Sequence, residues 1–227
     1  GVQYHYHSPV KKIVTDGGVA KGIELADGTV IDADIVISNA DLHFTETTLL
    51  SGSDQSYPAK YWKKREAGPS ALLMYLGVKG IDLRDHGFGS YNVWHYPDEN
   101  IERQYDNQLL RNDLSNPWLF MSTPSLHSDT PGTCPPGHQI LEVATACDHT
   151  FYATLRRDDR RRYNREKKKI RDTIFDVLEA HYVPRLREKV VLQVVGTPAT
   201  NERFCRAPYG NSYGAALVPK NVTLNRK

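Results

Sequence analysis

The sequence predicts a small α/β piece followed by a larger α+β region, and three patterns predict it. Short alternating strands separated by Asp-Gly turns crowd the first 32 residues, the mark of a β-meander. The continuous apolar run Ala33-Asp34-Ile35-Val36-Ile37-Ser38-Asn39 then reads as a strand buried on both faces of a parallel sheet. Beyond residue 52, apolar strands and helices alternate too loosely for a parallel barrel. That favours a mixed, largely antiparallel sheet with helices on one face.

The elements follow in order. Lys11 to Thr15 is a short strand, and Asp16-Gly17-Gly18 is a turn whose glycines are free to take positive φ. Val19 to Leu25 alternates into a second strand, Ala26-Asp27-Gly28 turns, and Thr29 to Asp32 returns. After the apolar run, Asp41 is placed to cap a short helix through His43 to Leu50. Tyr57 to Glu66 is a charged helix with Pro58 in its first turn. Ser70 to Val78 is a strongly apolar strand, and further strands are expected at Tyr91 to Tyr96, Trp118 to Ser122 and Gln139 to Ala146. Asn100 to Leu114 reads as a helix presenting Ile101, Tyr105 and Leu109 on one face, and Asp129 to Gly137 as a Pro/Gly loop. A long helix from about Asp158 to Val183 carries Ile170, Ile174, Val177 and Leu178 at helical spacing, and Pro184 stops it. Val190 to Val195 is a last strand, and the tail from Pro198 reads as loop.

Composition narrows the class. With 39% hydrophobic and 25% charged residues the chain is ordinary for a soluble protein, and no apolar stretch reaches the ~18 residues of a membrane span. No signal peptide opens it, and the first residue, Gly1, fits an excised segment. Cys134, Cys147 and Cys205 are too few, too scattered and odd in number for a disulfide framework, which implies a reducing, cytoplasmic setting. The nine histidines show no matched ligand spacing, and neighbours in Cys147-Asp148-His149 diverge on a strand, so a metal site is not expected.

The motifs that would make a self-contained enzyme are missing. There is no G-x-G-x-x-G between strand and helix, no G-x-x-x-x-G-K-[ST] and no G-x-S-x-G elbow. The loudest local feature is the Lys/Arg-dense stretch Arg156 to Arg171. It precedes the apolar stripe and lacks the interleaved aromatics of a nucleic-acid platform, so it reads first as a solvated helix face and second as a membrane-surface contact. Tyrosine is frequent, with 13 copies, several in apolar strands beside Trp94 and Trp118, where ligand walls and core packing compete as explanations. The loop carboxylates Asp82, Asp85, Asp98, Glu99 and Asp129 offer no acid–base pair by spacing.

Four segments resemble one family. Gly22 to Asp41 (GIELADGTVIDADIVISNAD) is similar to a signature of flavin-dependent amine-oxidase-type proteins, in particular the phytoene desaturase, carotenoid isomerase and retinol-saturase-like enzymes. Arg65 to Gly77 resembles that family's strand into the substrate domain, and Ile170 to Arg187 its long helix ending in Pro-x-Leu-Arg. Gly196 to Phe204, with Tyr213-Gly214, resembles its return toward the flavin. The resemblance implies an FAD enzyme acting on long apolar polyenes. It makes Val10 and, at the exit of the apolar run, Ser38, Asn39 and Ala40 the candidate cofactor contacts. Met74, Tyr75, Trp94, Tyr96, Trp118 and Phe120 become candidate walls of a substrate tunnel.

The departures shape the expectation as much. The family's phosphate-holding glycine unit and its C-terminal Gly-rich flavin segment are absent, so the chain reads as an interior fragment that retains no FAD alone. The expected division is residues 1–52 as part of an FAD-binding, Rossmann-type domain, 53–205 as a substrate domain, and 206–227 as a return segment. Two rivals stand beside this reading: an amine-oxidase-like flavoenzyme with a polar substrate, and a non-catalytic module whose basic helix docks on membrane or nucleic acid.

Overall fold

Tight turns organise the first strands. β1 (Val10–Asp16), β2 (Val19–Leu25) and β3 (Val30–Asp32) form an antiparallel sheet of order β1-β2-β3 in the computed structural model, which describes residues 1–221. Gly17 and Gly18 take φ of +56° and +79° at the first reversal. Gly22 is needed for a different reason. A Cβ there would lie 2.1 Å from the Ile31 carbonyl oxygen, so only glycine lets β3 approach β2 this closely. Ile13 is buried in this sheet, whereas Val19, Val30 and Ile31 are exposed.

The apolar run departs from its expected form. Ala33 donates its N–H to the Lys21 carbonyl at 2.9 Å, the last bond of the meander. From there to Asn39 no strand forms, and Ile35 and Ile37 are 78% and 88% exposed. The reason is physical: a strand exists only when a neighbour takes up its N–H and C=O groups, and no described strand lies free beside this one. Asp41 does cap α1 (Leu42–Phe44), accepting the Phe44 N–H at 3.2 Å, and the chain continues into a π-helical turn, Thr45–Leu49. α2 (Ala59–Lys64) starts after Pro58.

The second unit is built on β4 (Ser70–Lys79). β5 (Val93–His95), α3 (Ile101–Tyr105) with its π-helical extension Asp106–Leu110, β6 (Leu119–Ser122), α4 (Pro124–His127) and β7 (His138–Cys147) follow. Then come α5 (His149–Asp158), α6 (Arg160–His181), β8 (Val190–Gly196) and α7 (Pro198–Cys205). The sheet order is β5-β6-β7-β4-β8, and every pair is antiparallel. The molecule is thus mixed α/β with two antiparallel sheets. The expected helix from about 158 to 183 is α6, and α5, where no helix is expected, precedes it. Asp148 caps α5 by accepting the Thr150 and Phe151 N–H groups, and Asp159 caps α6 through the Arg162 N–H at 2.8 Å.

Strict alternation decides where the core is. Leu72, Met74, Leu76 and Val78 of β4, Leu119 and Met121 of β6, and Leu141 and Val143 of β7 point to one face. They pack with Tyr152 and Leu155 of α5 and with Tyr163, Ile170, Ile174, Phe175 and Leu178 of α6, which recur at helical spacing. Each fully buried aliphatic side chain contributes about 1.5–3 kcal/mol of transfer free energy. The other face of the sheet carries no helix from this set.

By chain contacts, one unit is Gly1–Gly68 with Phe204–Pro208 and the residues from Gly214 on, and the other is Pro69–Arg203 with Tyr209–Tyr213. Residues 222–227 of the expected return segment lie outside the described residues. Gly210 closes the second unit: its would-be Cβ lies 2.0 Å from the Pro198 carbonyl oxygen.

Candidate functional site, the open face of the five-stranded sheet

Because β4, β6 and β7 send alternate residues to the helices, their remaining residues line the opposite face. Trp94, Phe120, Ala144, Leu73 and Gly196 are successive cross-strand partners from β5 to β8. The next row is Ser122, Glu142, Tyr75 and Val194, and the row beyond it Ile140, Gly77 and Leu192. Trp94, Tyr75, Leu192 and Val194 are exposed, Trp94 to 52%. A broad, mostly apolar surface left uncovered by its own unit is a binding surface by default.

Its aromatic end is ordered by ring packing. Trp94 stacks on Tyr96 at 6.1 Å between centroids, meets Phe120 edge-on at 5.0 Å and lies 5.7 Å from Trp118. Trp118 is fixed from behind by a residue that no spacing rule singled out. Gln108, fully buried on the π-helical turn, accepts the Trp118 N–H at 2.6 Å. Its amide donates to Thr145 Oγ1 and to the Ala146 carbonyl, both at 2.9 Å. Thr145 Oγ1 in turn donates to the Trp118 carbonyl at 2.6 Å. Every polar atom of this clamp is used, and the wide π turn is what brings Gln108 to the strand.

Of the six expected wall residues, five therefore gather on or beside one face: Tyr75, Trp94, Tyr96, Trp118 and Phe120. Met74 does not. It is fully buried on the helix-covered side, because it alternates with Tyr75 along β4, and its role is core packing.

The expected cofactor residues lie in the first unit. Val10 opens β1, half-buried and paired with Leu25, while Ser38, Asn39 and Ala40 are exposed. The Ser38 hydroxyl is 2.7 Å from Thr45 Oγ1. These four residues offer neither a cradle of N–H donors nor a buried acceptor left waiting, so alone they do not fit a dinucleotide.

Other clusters are inert by their surroundings. The Cys147 thiol is pushed far up by burial and by the neighbouring Asp148 charge, which suits a core residue and not a nucleophile. Burial lowers the His149 pKa, against the opposing charges of Glu202 and Asp148. Among the described residues no three His, Cys, Asp or Glu side chains converge on a metal site, and no helix is long and apolar enough to cross a membrane. In the first unit Tyr57, Tyr61, Trp62 and His43 also pack together, but the Arg65 guanidinium lies over Tyr61 and Trp62.

No family model matches the chain. Individual proteins do. The chain is 27% identical to an all-trans-retinol 13,14-reductase of Danio rerio over 92% of its own length and 36% of that protein. It is 30% identical to a prolycopene isomerase of an Oncidium hybrid over 98% of its length and 35% of that protein. A lycopene-forming phytoene desaturase of Pseudescherichia vulneris is 27% identical over 94% of the chain and 41% of its own length. The chain thus spans little more than a third of the first two relatives and two-fifths of the third. All three are enzymes, named for a reduction, an isomerisation and a desaturation. A solved oxidoreductase from Methanosarcina mazei aligns with 83% of the chain and 36% of its own, at 19% identity and a TM-score of 0.46, too distant to bear on the fold.

Proposed function

We propose that this chain, a relative of the phytoene desaturase, carotenoid isomerase and retinol saturase enzymes, is the substrate-holding portion of an FAD-dependent oxidoreductase acting on polyenes. The open, aromatic-ended sheet face carries the reading. A conjugated chain is long, flat and apolar, and a sheet face about 19 Å across (four inter-strand spacings of about 4.8 Å) matches it in shape and polarity. The protein's task is to immobilise such a chain and exclude water around it, which needs no acid–base pair. The family resemblance implies that flavin would supply the redox chemistry, whether the reaction is desaturation, saturation or isomerisation.

The flavin itself is proposed to be held mainly by sequence beyond these 227 residues, with Val10 and Ser38 to Ala40 contributing an edge. The exposed Ile35 and Ile37 support that reading, since they suit a strand whose sheet neighbours come from elsewhere. The exposed basic residues Arg161, Arg162, Arg165, Lys168 and Lys169 of α6 support peripheral contact with an anionic membrane from the cytoplasmic side, where an apolar substrate dissolves. A nucleic-acid partner is not favoured. The amine-oxidase-like alternative is weakened because Arg65 already occupies the faces of the one aromatic group that resembles a cage.

The test is direct. The purified chain should be colourless and hold no FAD, yet its tryptophan emission should be quenched by a polyene, with Trp94→Ala weakening binding about tenfold at unchanged urea midpoint. A yellow preparation with near-stoichiometric FAD would refute the assignment of the flavin to outside sequence. Polyene binding indifferent to Trp94 would refute the open face as the site.

A further inference from the structure

We infer that Glu142 anchors the polar end of the ligand, so that the open sheet face selects a polyene bearing a hydrogen-bond donor, a hydroxyl above all, over a plain hydrocarbon. The inference rests on the polyene reading above and sharpens it. Glu142 stands near the middle of the face, between Leu141 and Val143, which both point to the core. Its cross-strand partners are Tyr75 and Ser122, its same-strand neighbours on the face are Ile140 and Ala144, and the diagonal positions are Leu73, Gly77 and Phe120. No Lys or Arg is among them. The Glu142 carboxylate has no hydrogen-bond or ion-pair partner among the described residues, in contrast to Glu24, Glu179 and Glu188, each of which meets a cation.

A half-buried carboxylate whose only polar neighbours on the face are Tyr75 and Ser122, neither of them bonded to it, keeps its hydration only while the face is open to water. A hydrocarbon laid over it would strip that water and return nothing, which disfavours binding. A ligand hydroxyl within reach would replace the lost water with a charge-assisted hydrogen bond. The complement that the Glu142 carboxylate lacks is therefore a bonded donor, and Glu142 sets both the orientation of the ligand and the choice between a polyene alcohol and a polyene hydrocarbon.

Binding of all-trans-retinol and of its O-methyl ether, which can accept but not donate, is followed by quenching of tryptophan emission for the wild-type chain, Glu142→Gln and Glu142→Leu. The alcohol should bind roughly tenfold more tightly than the ether to the wild type. Glu142→Gln should keep part of that preference, and Glu142→Leu should abolish it while binding the ether at least as well as the wild type does. Equal affinity of the wild-type chain for both ligands, or an undiminished preference in Glu142→Leu, would overturn the anchor and leave the polyene site standing. Failure of either ligand to quench a chain that circular dichroism shows to be folded would overturn both.

Discussion

The two units differ in what their apolar side chains touch. In the second, Leu72, Met74, Leu119, Met121, Leu141, Ile174 and Leu178 are all essentially inaccessible and packed on one another. In the first, Val19, Val30, Ile31, Ile35 and Ile37 are all exposed, and Ile13, Leu49 and Ala207 are the buried exceptions among the described residues. Both carry aliphatic residues in strand-like patterns, so composition is not the difference. The second unit brings its own helices to cover its sheet, and the first does not. A hydrophobic pattern states what a segment needs, and the surrounding chain decides whether the need is met.

The sharpest way to break this contrast is to delete equivalent side chains on both sides of it. Ile174→Ala should cost about 2–5 kcal/mol in urea unfolding, because it leaves a cavity under the sheet. Ile37→Ser should stay within about 0.5 kcal/mol. A comparable loss at both sites would mean the first unit has a core of its own. Next in size, Gln108→Ala should cost about 1–3 kcal/mol, since the Trp118 N–H and the Ala146 carbonyl lose their buried partner. A red shift of tryptophan emission should accompany it.

The smallest effect is one of pH. Burial, helped by the nearby His181 ring 5.0 Å away, lowers the pKa of His95 below its ordinary 6.5. The unfolded chain then takes up a proton before the folded one does. Stability from this site is intact above 6.5 and declines as the pH falls through that value. Urea midpoints at pH 7.5 and 5.5 should show a shallower decline in His95→Gln than in the wild type.

Much of the second unit was legible because its signals are long and redundant. β4, β7 and β8 are apolar runs bounded by turn residues, and α6 repeats its apolar positions over several turns. The failures have particular causes. Ala33 to Asn39 has the composition of an inner strand, but a ladder is a property of two segments, and one was read alone. α5 is rich in Thr, Arg and aromatics, so its stripe is faint, although Asp148 before it is a plain cap. α7 lies in a tail whose Tyr-Gly pairs read as loop-rich, yet Thr197-Pro198 is a helix start: the Thr197 N–H donates to Thr200 Oγ1 at 3.1 Å, closing the first turn. At the site, the five aromatic candidates are conspicuous in the sequence, and they fall on or beside one face of the sheet. Met74 was misread because its face depends on register, which the sequence fixes only once the helices are known to lie on one side. Gln108 left no trace, since a single buried amide on a π turn has no periodicity to betray it.

The margins of the five-stranded sheet are unequal, and the inequality has a direction. β5 ends one side with three residues, whereas β8 ends the other with seven, four of them in succession, Val191 to Val194, exposed. A guest strand arriving at β5 finds almost nothing to zip against. One arriving beside β8 finds a strand with no second neighbour among the described residues, flanked by valine and leucine. Accretion of further strands, whether in a longer polypeptide or in an unwanted fibril, is thereby steered to a single rim.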